Sequence, residues 1–150
     1  MKPTTITFVL LAFLTICGAT SAAAQTLSAG VRVGASVDPD QFYFGGHVET
    51  APLVDRIHFR PNAEIGVGNG ATVVALDFEF AYKFPSQRTW NAYALAGPAL
   101  NIVKVHDDTG TSGGFNIGVG IEHREGLFGE IKVGTIDSPE FKIGVGYRFR

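Results

Sequence analysis

The first place where this sequence could support chemistry is a histidine and a carboxylate two residues apart. His47 and Glu49 are separated by a single residue. On a β-strand that spacing puts an imidazole and a carboxylate on the same face. A carboxylate can orient a histidine that activates a nearby nucleophile. No histidine in the sequence is followed two residues later by serine, so we expect His47 and Glu49 to form an ion pair within a polar core.

A second cluster of candidate ligands lies in the segment HDDTGTSGG. His106, Asp107 and Asp108 are consecutive, but their spacing matches no calcium-binding loop and brings no second histidine for zinc. We therefore interpret residues 107–114 as a solvated turn. His123 stands beside Arg124 and Glu125, which indicates a residue of a rim or a turn. The sequence predicts no catalytic residue, no metal and no cofactor.

The first residues are typical of an export signal. Lys2 precedes an apolar run from 6 to 19, and Ala22-Ala23-Ala24 forms a small-residue cleavage site. We predict a signal peptide over 1–24 and one domain over 25–150. Lipid attachment at Cys17 is the alternative, but Ile16 is a poor residue to precede such a site.

The remaining chain has no cysteine, which excludes disulfides and thiol chemistry. It carries 11 lysines and arginines against 14 acidic residues, a net charge of −3, and so mild a charge does not indicate nucleic acid as a partner. No segment after the signal is long and apolar enough for a membrane helix. If the protein lies in a membrane, only a closed barrel satisfies its backbone.

Strict alternation of apolar and polar residues recurs along this whole domain. In VVALDFEFAYKF, one face has Leu76, Phe78 and Phe80 while the other has Asp77 and Glu79. This period of two is the mark of a strand with one apolar face. Short turns separate the alternating segments, which predicts an all-β, antiparallel, up-and-down meander of eight strands. The predicted strands are 27–37, 42–50, 59–69, 73–84, 92–105, 115–124, 127–135 and 140–149, with Pro98 implying a bulge or local distortion in the fifth.

The composition of the two faces indicates that the polar face is inside. Two dozen large apolar side chains would overfill an eight-stranded barrel, whose interior is just wide enough for side chains. The polar face is also rich in glycine, which leaves room for long neighbours. Its charges nearly cancel, as buried charges must. The predicted lumen network comprises Arg32, Arg60, Lys83, Arg124, Lys132, Lys142 and Arg148 with Glu49, Glu64, Asp77, Glu79, Glu122 and Glu130.

Aromatic residues fall near the two ends of the predicted strands. If the chain starts on the inner side of the membrane, odd strands run outward and even strands return. Two aromatic girdles of this kind are expected of a barrel in the outer membrane. The predicted outer girdle is Phe42, Phe44, Phe115 and Phe141, and the predicted inner girdle is Phe59, Tyr82, Phe84, Trp90, Tyr147 and Phe149.

The sequence resembles the small eight-stranded outer-membrane β-barrel proteins of the OmpA-like and opacity-protein-like type. The resemblance rests on the signal peptide, the eight strands and the closing segment FKIGVGYRF. In this family such an ending is the signal read by the barrel-assembly machinery, and Val145, Tyr147 and Phe149 fit its pattern, although Arg150 follows. The resemblance implies a monomer in the bacterial outer membrane, with membrane lipid and the assembly machinery as partners.

The function that this resemblance implies is structural or surface-interacting, with a filled lumen and no pore. Two alternatives come from other classes. A lipid-modifying barrel enzyme would need a lipid-facing cluster of serine, histidine and acid, and the His-x-Ser pair of barrel lipid A deacylases is missing. A soluble barrel of lipocalin type would turn its phenylalanines inward around an apolar ligand, but the Gly-x-Trp expected near its first strand is missing as well.

Overall fold

The chain forms a closed barrel of eight antiparallel strands in a computed structural model. The structure describes residues 27–68, 70–105, 108–136 and 138–149, so the predicted signal peptide lies outside the described residues. Each strand pairs with the next, and the last pairs with the first. The predicted fold is thus confirmed. The strands are β1 (Leu27–Val37), β2 (Gln41–Thr50), β3 (Ile57–Gly68), β4 (Ala71–Lys83), β5 (Trp90–Val105), β6 (Asp108–His123), β7 (Leu127–Ile136) and β8 (Phe141–Arg148).

The prediction of a solvated turn was wrong over 108–114, the part of that segment that the structure describes. β6 begins at Asp108, and its first residues pair with the end of β5, from Val105↔Asp108 to Ile102↔Thr111. The glycines and serine of this segment suggested a loop, but the β-branched end of β5 offers a strand partner that overrides local propensity. His106 and Asp107, from the candidate ligand cluster, lie outside the described residues.

Pro98 lies where the pairing of β5 with β4 is interrupted. The ladder runs to Asp77↔Ala99 and resumes at Phe80↔Ala96, while the other edge of β5 remains paired through Pro98↔Phe115. Proline has no N–H to donate to a ladder. Beside it, a Cβ on Gly97 would lie 2.1 Å from the carbonyl oxygen of Phe78, so the two backbones approach closely here. This is the local distortion that the sequence predicts in the fifth strand.

The apolar face of the sheet is outside and the charged face is inside. Phe78 and Phe80 are 45% and 48% exposed, whereas Asp77 and Glu79 between and beside them are buried. A barrel that holds an apolar ligand has the opposite arrangement, with its apolar face inside. Within the part of the chain that the structure describes, no helix has the length and apolarity to cross a membrane. The largest fully buried side chains are those of Arg32, Arg60, Tyr93, Lys132, Glu64, Glu79, Asn116 and Asp77.

The barrel has two ends, which we name for what they contain. The terminal rim holds the start of β1, the end of β8 and the connections 51–56, 84–89 and 124–126. The distal rim holds the connection 38–40, residues 70 and 138–140, the ends of β3, β5 and β7, and the start of β6.

Candidate functional site in the barrel lumen

The carboxylate of Glu130 on β7 accepts hydrogen bonds from side chains on three other strands. It accepts a hydrogen bond from Arg32 of β1 at 2.5 Å and from Arg60 of β3 at 2.8 Å. The hydroxyl of Tyr93 on β5 donates to it at 2.9 Å. All four side chains are buried. Charge-assisted bonds of this kind are the strong ones, so Glu130 ties together opposite walls of the lumen.

A second group of charges surrounds Lys132, two residues along the same strand. Its ammonium lies 2.5 Å from Glu79 and 3.9 Å from Glu64. Lys142 of β8 pairs directly with Glu64, and Arg32 reaches Glu64 at 3.3 Å. Neighbouring cations therefore share the buried carboxylates, and their attraction offsets part of the cost of burying these charges.

A third group lies near the terminal rim. Lys83 donates to Glu49 at 2.5 Å and to Glu122 at 3.2 Å. Arg148 pairs with both of these carboxylates as well, at 3.4 Å from Glu49. His58 lies beside this group, with its Nδ1 3.9 Å from Glu49 and 2.8 Å from the carbonyl oxygen of Thr50.

Aromatic rings fill the lumen between these charges, and the sequence reasoning missed them. The guanidinium carbon of Arg60 lies 5.1 Å from the centre of the Tyr93 ring and 5.0 Å from that of Phe128. The ammonium of Lys142 lies 4.7 Å from the centre of the Tyr43 ring. Such cation–π contacts hold charge in a desolvated site. Strand parity could have found the rings, because Phe128 alternates in phase with Glu130 and Tyr43 with Glu49.

Glycines opposite these rings provide the space that they occupy. A Cβ on Gly120 would lie 2.3 Å from Cζ of Tyr93, and one on Gly144 would lie 2.3 Å from the Tyr43 hydroxyl. A Cβ on Gly30 would meet the ring of His47 at the same distance. No real Cβ makes so short a contact. These glycines therefore accommodate rings, whereas a Cβ on Gly118 would lie 3.0 Å from Cγ of Lys132, a long charged neighbour of the kind that the sequence suggested.

Two predictions about the lumen, the pair of His47 with Glu49 and the place of Arg124, differ from the structure. His47 does not pair with Glu49; its ring packs edge-on against Phe128 at 5.3 Å between centroids, because Glu49 is engaged by Lys83 and Arg148. Arg124 is exposed and lies outside the lumen. β6 ends at His123, so Arg124 falls in the turn, where it reaches the carbonyl oxygen of Gln87 at 3.4 Å.

The predicted girdle residues lie on the outer surface near the two rims. At the terminal rim they make ring contacts, among them Phe59 with Phe80 at 5.2 Å, Tyr82 with Phe84 at 5.3 Å and Tyr147 with Phe149 at 5.4 Å. Trp90 packs against His123 at 4.8 Å. At the distal rim, Phe42, Phe44 and Phe141 lie within the first four residues of their strands, and Phe115 pairs with Thr135 near the end of β7.

Side chains fill most of the lumen, and a wider space of about 580 Å³, lined in part by His58, Lys83 and Asn91, lies at the terminal rim. A space of about 20 Å³, lined in part by Ser36, Tyr43 and Lys142, remains near the distal end of the lumen. Among the described residues, no group of three or more histidine, cysteine and acidic side chains is arranged to hold a metal ion. The charges are taken up by one another and by the rings between them.

Comparison with solved structures identifies the same architecture elsewhere. The N-terminal β-barrel domain of Pseudomonas aeruginosa OprF is 18% identical, with a TM-score of 0.58 over 83% of this chain and 97% of that one. Neisserial surface protein A (NspA) is 13% identical, with a TM-score of 0.66 over 81% and 94%. A structure from a study of de novo designed transmembrane β-barrels is 17% identical, with a TM-score of 0.55 over 83% and 95%.

Sequence comparison adds no family assignment. No family profile matches the chain, and no curated protein matches it. At these identities the likeness concerns the fold alone. The alignment covers nearly the whole length of both natural neighbours. The chain therefore has the fold of the small eight-stranded outer-membrane β-barrels.

Proposed function

We propose that the mature chain is an integral barrel of the bacterial outer membrane with a structural or surface-interaction role. The observation that carries the proposal is the inverted distribution of polarity in a closed barrel. Val119, Ile121 and Val145 are each more than half exposed, while the charged side chains are inside. A bilayer removes this apolar surface from water. Closure of the sheet leaves no lipid-facing edge in the barrel wall.

The same proposal describes the lumen as filled rather than open. Eight strands enclose only enough space for side chains. Here Arg60, Tyr93, Phe128 and Glu130 meet across that space. We therefore propose no role in the diffusion of solutes.

The proposal also names a route to the membrane and the partners met there. The signal peptide over 1–24 would direct export, and the barrel-assembly machinery would read the end of β8. Val145, Tyr147 and Phe149 are all exposed on the outer surface, where a partner could contact them. Membrane lipid would then cover the barrel, which acts as a monomer.

Fractionation of expressing cells tests the location. We expect the protein in the outer-membrane fraction, with its unboiled form migrating faster in gel electrophoresis than the boiled form, because a barrel stays compact in detergent. Recovery as a soluble periplasmic protein with no shift in migration would contradict the proposal.

Planar-bilayer recordings test the filled lumen separately. We expect the purified protein to leave the baseline conductance of the bilayer unchanged. Steady channel currents from a protein that passes the fractionation test would overturn the filled lumen while leaving the membrane location intact.

A further inference from the structure

The distal rim has a step where β6 extends beyond β7. Along its first six residues, 108–113, β6 is paired with β5 from Val105↔Asp108 to Leu100↔Gly113. Its pairing with β7 starts only at Gly114↔Ile136. Among the described residues, none pairs with the other side of 108–113. This segment is therefore an open strand edge on a barrel whose strand order is closed. We call it the β6 edge.

The space beside the β6 edge is open. Residues 108–111 and Gly113 are exposed, and Ser112 is half-buried. In a strand, every second residue directs both its N–H and its C=O away from a given neighbour. Open edges of this kind accept strands from other chains, and proteins commonly block them with lysine, proline or a bulge. The sequence of the β6 edge, Asp-Thr-Gly-Thr-Ser-Gly, contains neither lysine nor proline.

Charge distinguishes between the strands that could pair here. Asp108 is the only charged residue of the β6 edge, it is exposed, and no ion pair to it is found among the described residues. Two copies inserted the same way in one membrane are related by an axis along its normal. Their β6 edges would run parallel and place Asp108 beside Asp108, which is unfavourable. A strand with a lysine or arginine at that position is favoured instead.

We propose that the β6 edge binds an extended segment of another polypeptide by strand addition, with a basic residue of that segment beside Asp108. Main-chain hydrogen bonds would supply the binding, and the small side chains of Thr109, Thr111 and Ser112 impose little selection on the partner's sequence. The proposal concerns the distal rim whichever compartment it faces, so it does not depend on the proposed role in the envelope.

The test uses the full mature chain in detergent micelles and a capped peptide, Lys-Thr-Val-Thr-Val-Thr-Lys. Hydrogen exchange at the amides of 109–113 is measured with and without the peptide, and affinity is measured by fluorescence anisotropy. We expect the peptide to slow exchange in this segment. The same peptide with alternate amides N-methylated cannot complete a ladder and should give no protection. No slowing at saturating peptide, or equal protection by the methylated peptide, would overturn strand addition.

Charge reversal tests the contact with Asp108. We expect Asp108→Lys to weaken the binding of the lysine-ended peptide by about threefold or more and to strengthen the binding of a glutamate-ended peptide. Asp40→Lys is the matched control, because Asp40 is an exposed acid at the same rim and lies off the β6 edge. Equal effects of the two variants, or none from Asp108→Lys, would overturn the predicted partner chemistry.

Discussion

The ring of Phe128 occupies the space above Gly146, where a Cβ would lie 2.4 Å from Cζ of that ring and 2.3 Å from the carbonyl oxygen of Val31. Gly146 is on β8 and Phe128 is its partner on β7. The ring can point into the lumen only because its neighbour has no side chain. The contact with Arg60 depends on this position of the ring.

Substitution of Gly146 by alanine should destabilise the barrel. The added methyl group must displace either the ring or the backbone, and overpacking of this kind costs about 1–3 kcal/mol. Urea unfolding in detergent, followed by the gel mobility of the unboiled protein, measures the loss. Gly129→Ala is the control, because the nearest atom to its Cβ would be 3.8 Å away. Equal midpoints for the two variants would contradict this account.

Replacing Glu130 by glutamine should lower the free energy of unfolding strongly, although the side chain keeps its shape. The variant leaves Arg32 and Arg60 buried without their shared anion, and breaking a buried pair costs about 3–5 kcal/mol. The free energy of unfolding in urea is the measurement. Glu125→Gln serves as control, because the Glu125 side chain is 86% exposed and an exposed pair contributes little. A loss below that of the control would show that the network is not stabilising.

Arginine on the outer surface should destabilise the folded barrel by an amount that depends on depth. Val119 lies on β6 midway between Phe115 and the last strand residue, His123, and is 59% exposed, whereas Leu127 is at the terminal rim. In a lipid bilayer, Val119→Arg should cost about 2–4 kcal/mol and Leu127→Arg about 0–1 kcal/mol. Equilibrium folding into vesicles of both variants measures the difference. A soluble barrel would show equal, small effects, because both side chains would then face water.

Trp90 is the only tryptophan and reports on the terminal rim without any substitution. It is 45% exposed on the outer surface, where an indole prefers the boundary between headgroups and acyl chains. We expect its fluorescence to shift to the blue on folding into vesicles. Lipids brominated near the headgroup should quench it more than lipids brominated at the chain ends. Emission unchanged from that in water would place the rim outside the membrane.

The number of strands and their two faces could be predicted from the sequence because a period of two is a local signal. β1 begins and ends where predicted, at Leu27 and Val37, and Phe78 and Glu79 face the predicted sides. The charges that meet across the lumen could not be paired from the sequence, since Arg32 and Glu130 are 98 residues apart.

The errors arose where a local signal competed with the rest of the sheet. Thr109 to Gly114 have the composition of a loop, but the end of β5 pairs with them. Tyr93 and Phe128 are large rings on the polar face, and only the glycines on adjacent strands make room for them. Arg124 was counted with the lumen because β6 was expected to continue one residue further.

The contacts of Glu130 have a consequence for assembly. Its partners belong to β1, β3 and β5, which do not pair with β7 in the sheet. An open sheet cannot bring Arg32 of β1 and Arg60 of β3 to Glu130, so these two bonds form only when the two ends of the sheet join. A shift of β7 by one residue would also turn Glu130 and Lys132 toward lipid. The buried network is therefore complete only in the closed barrel with β7 in the observed register.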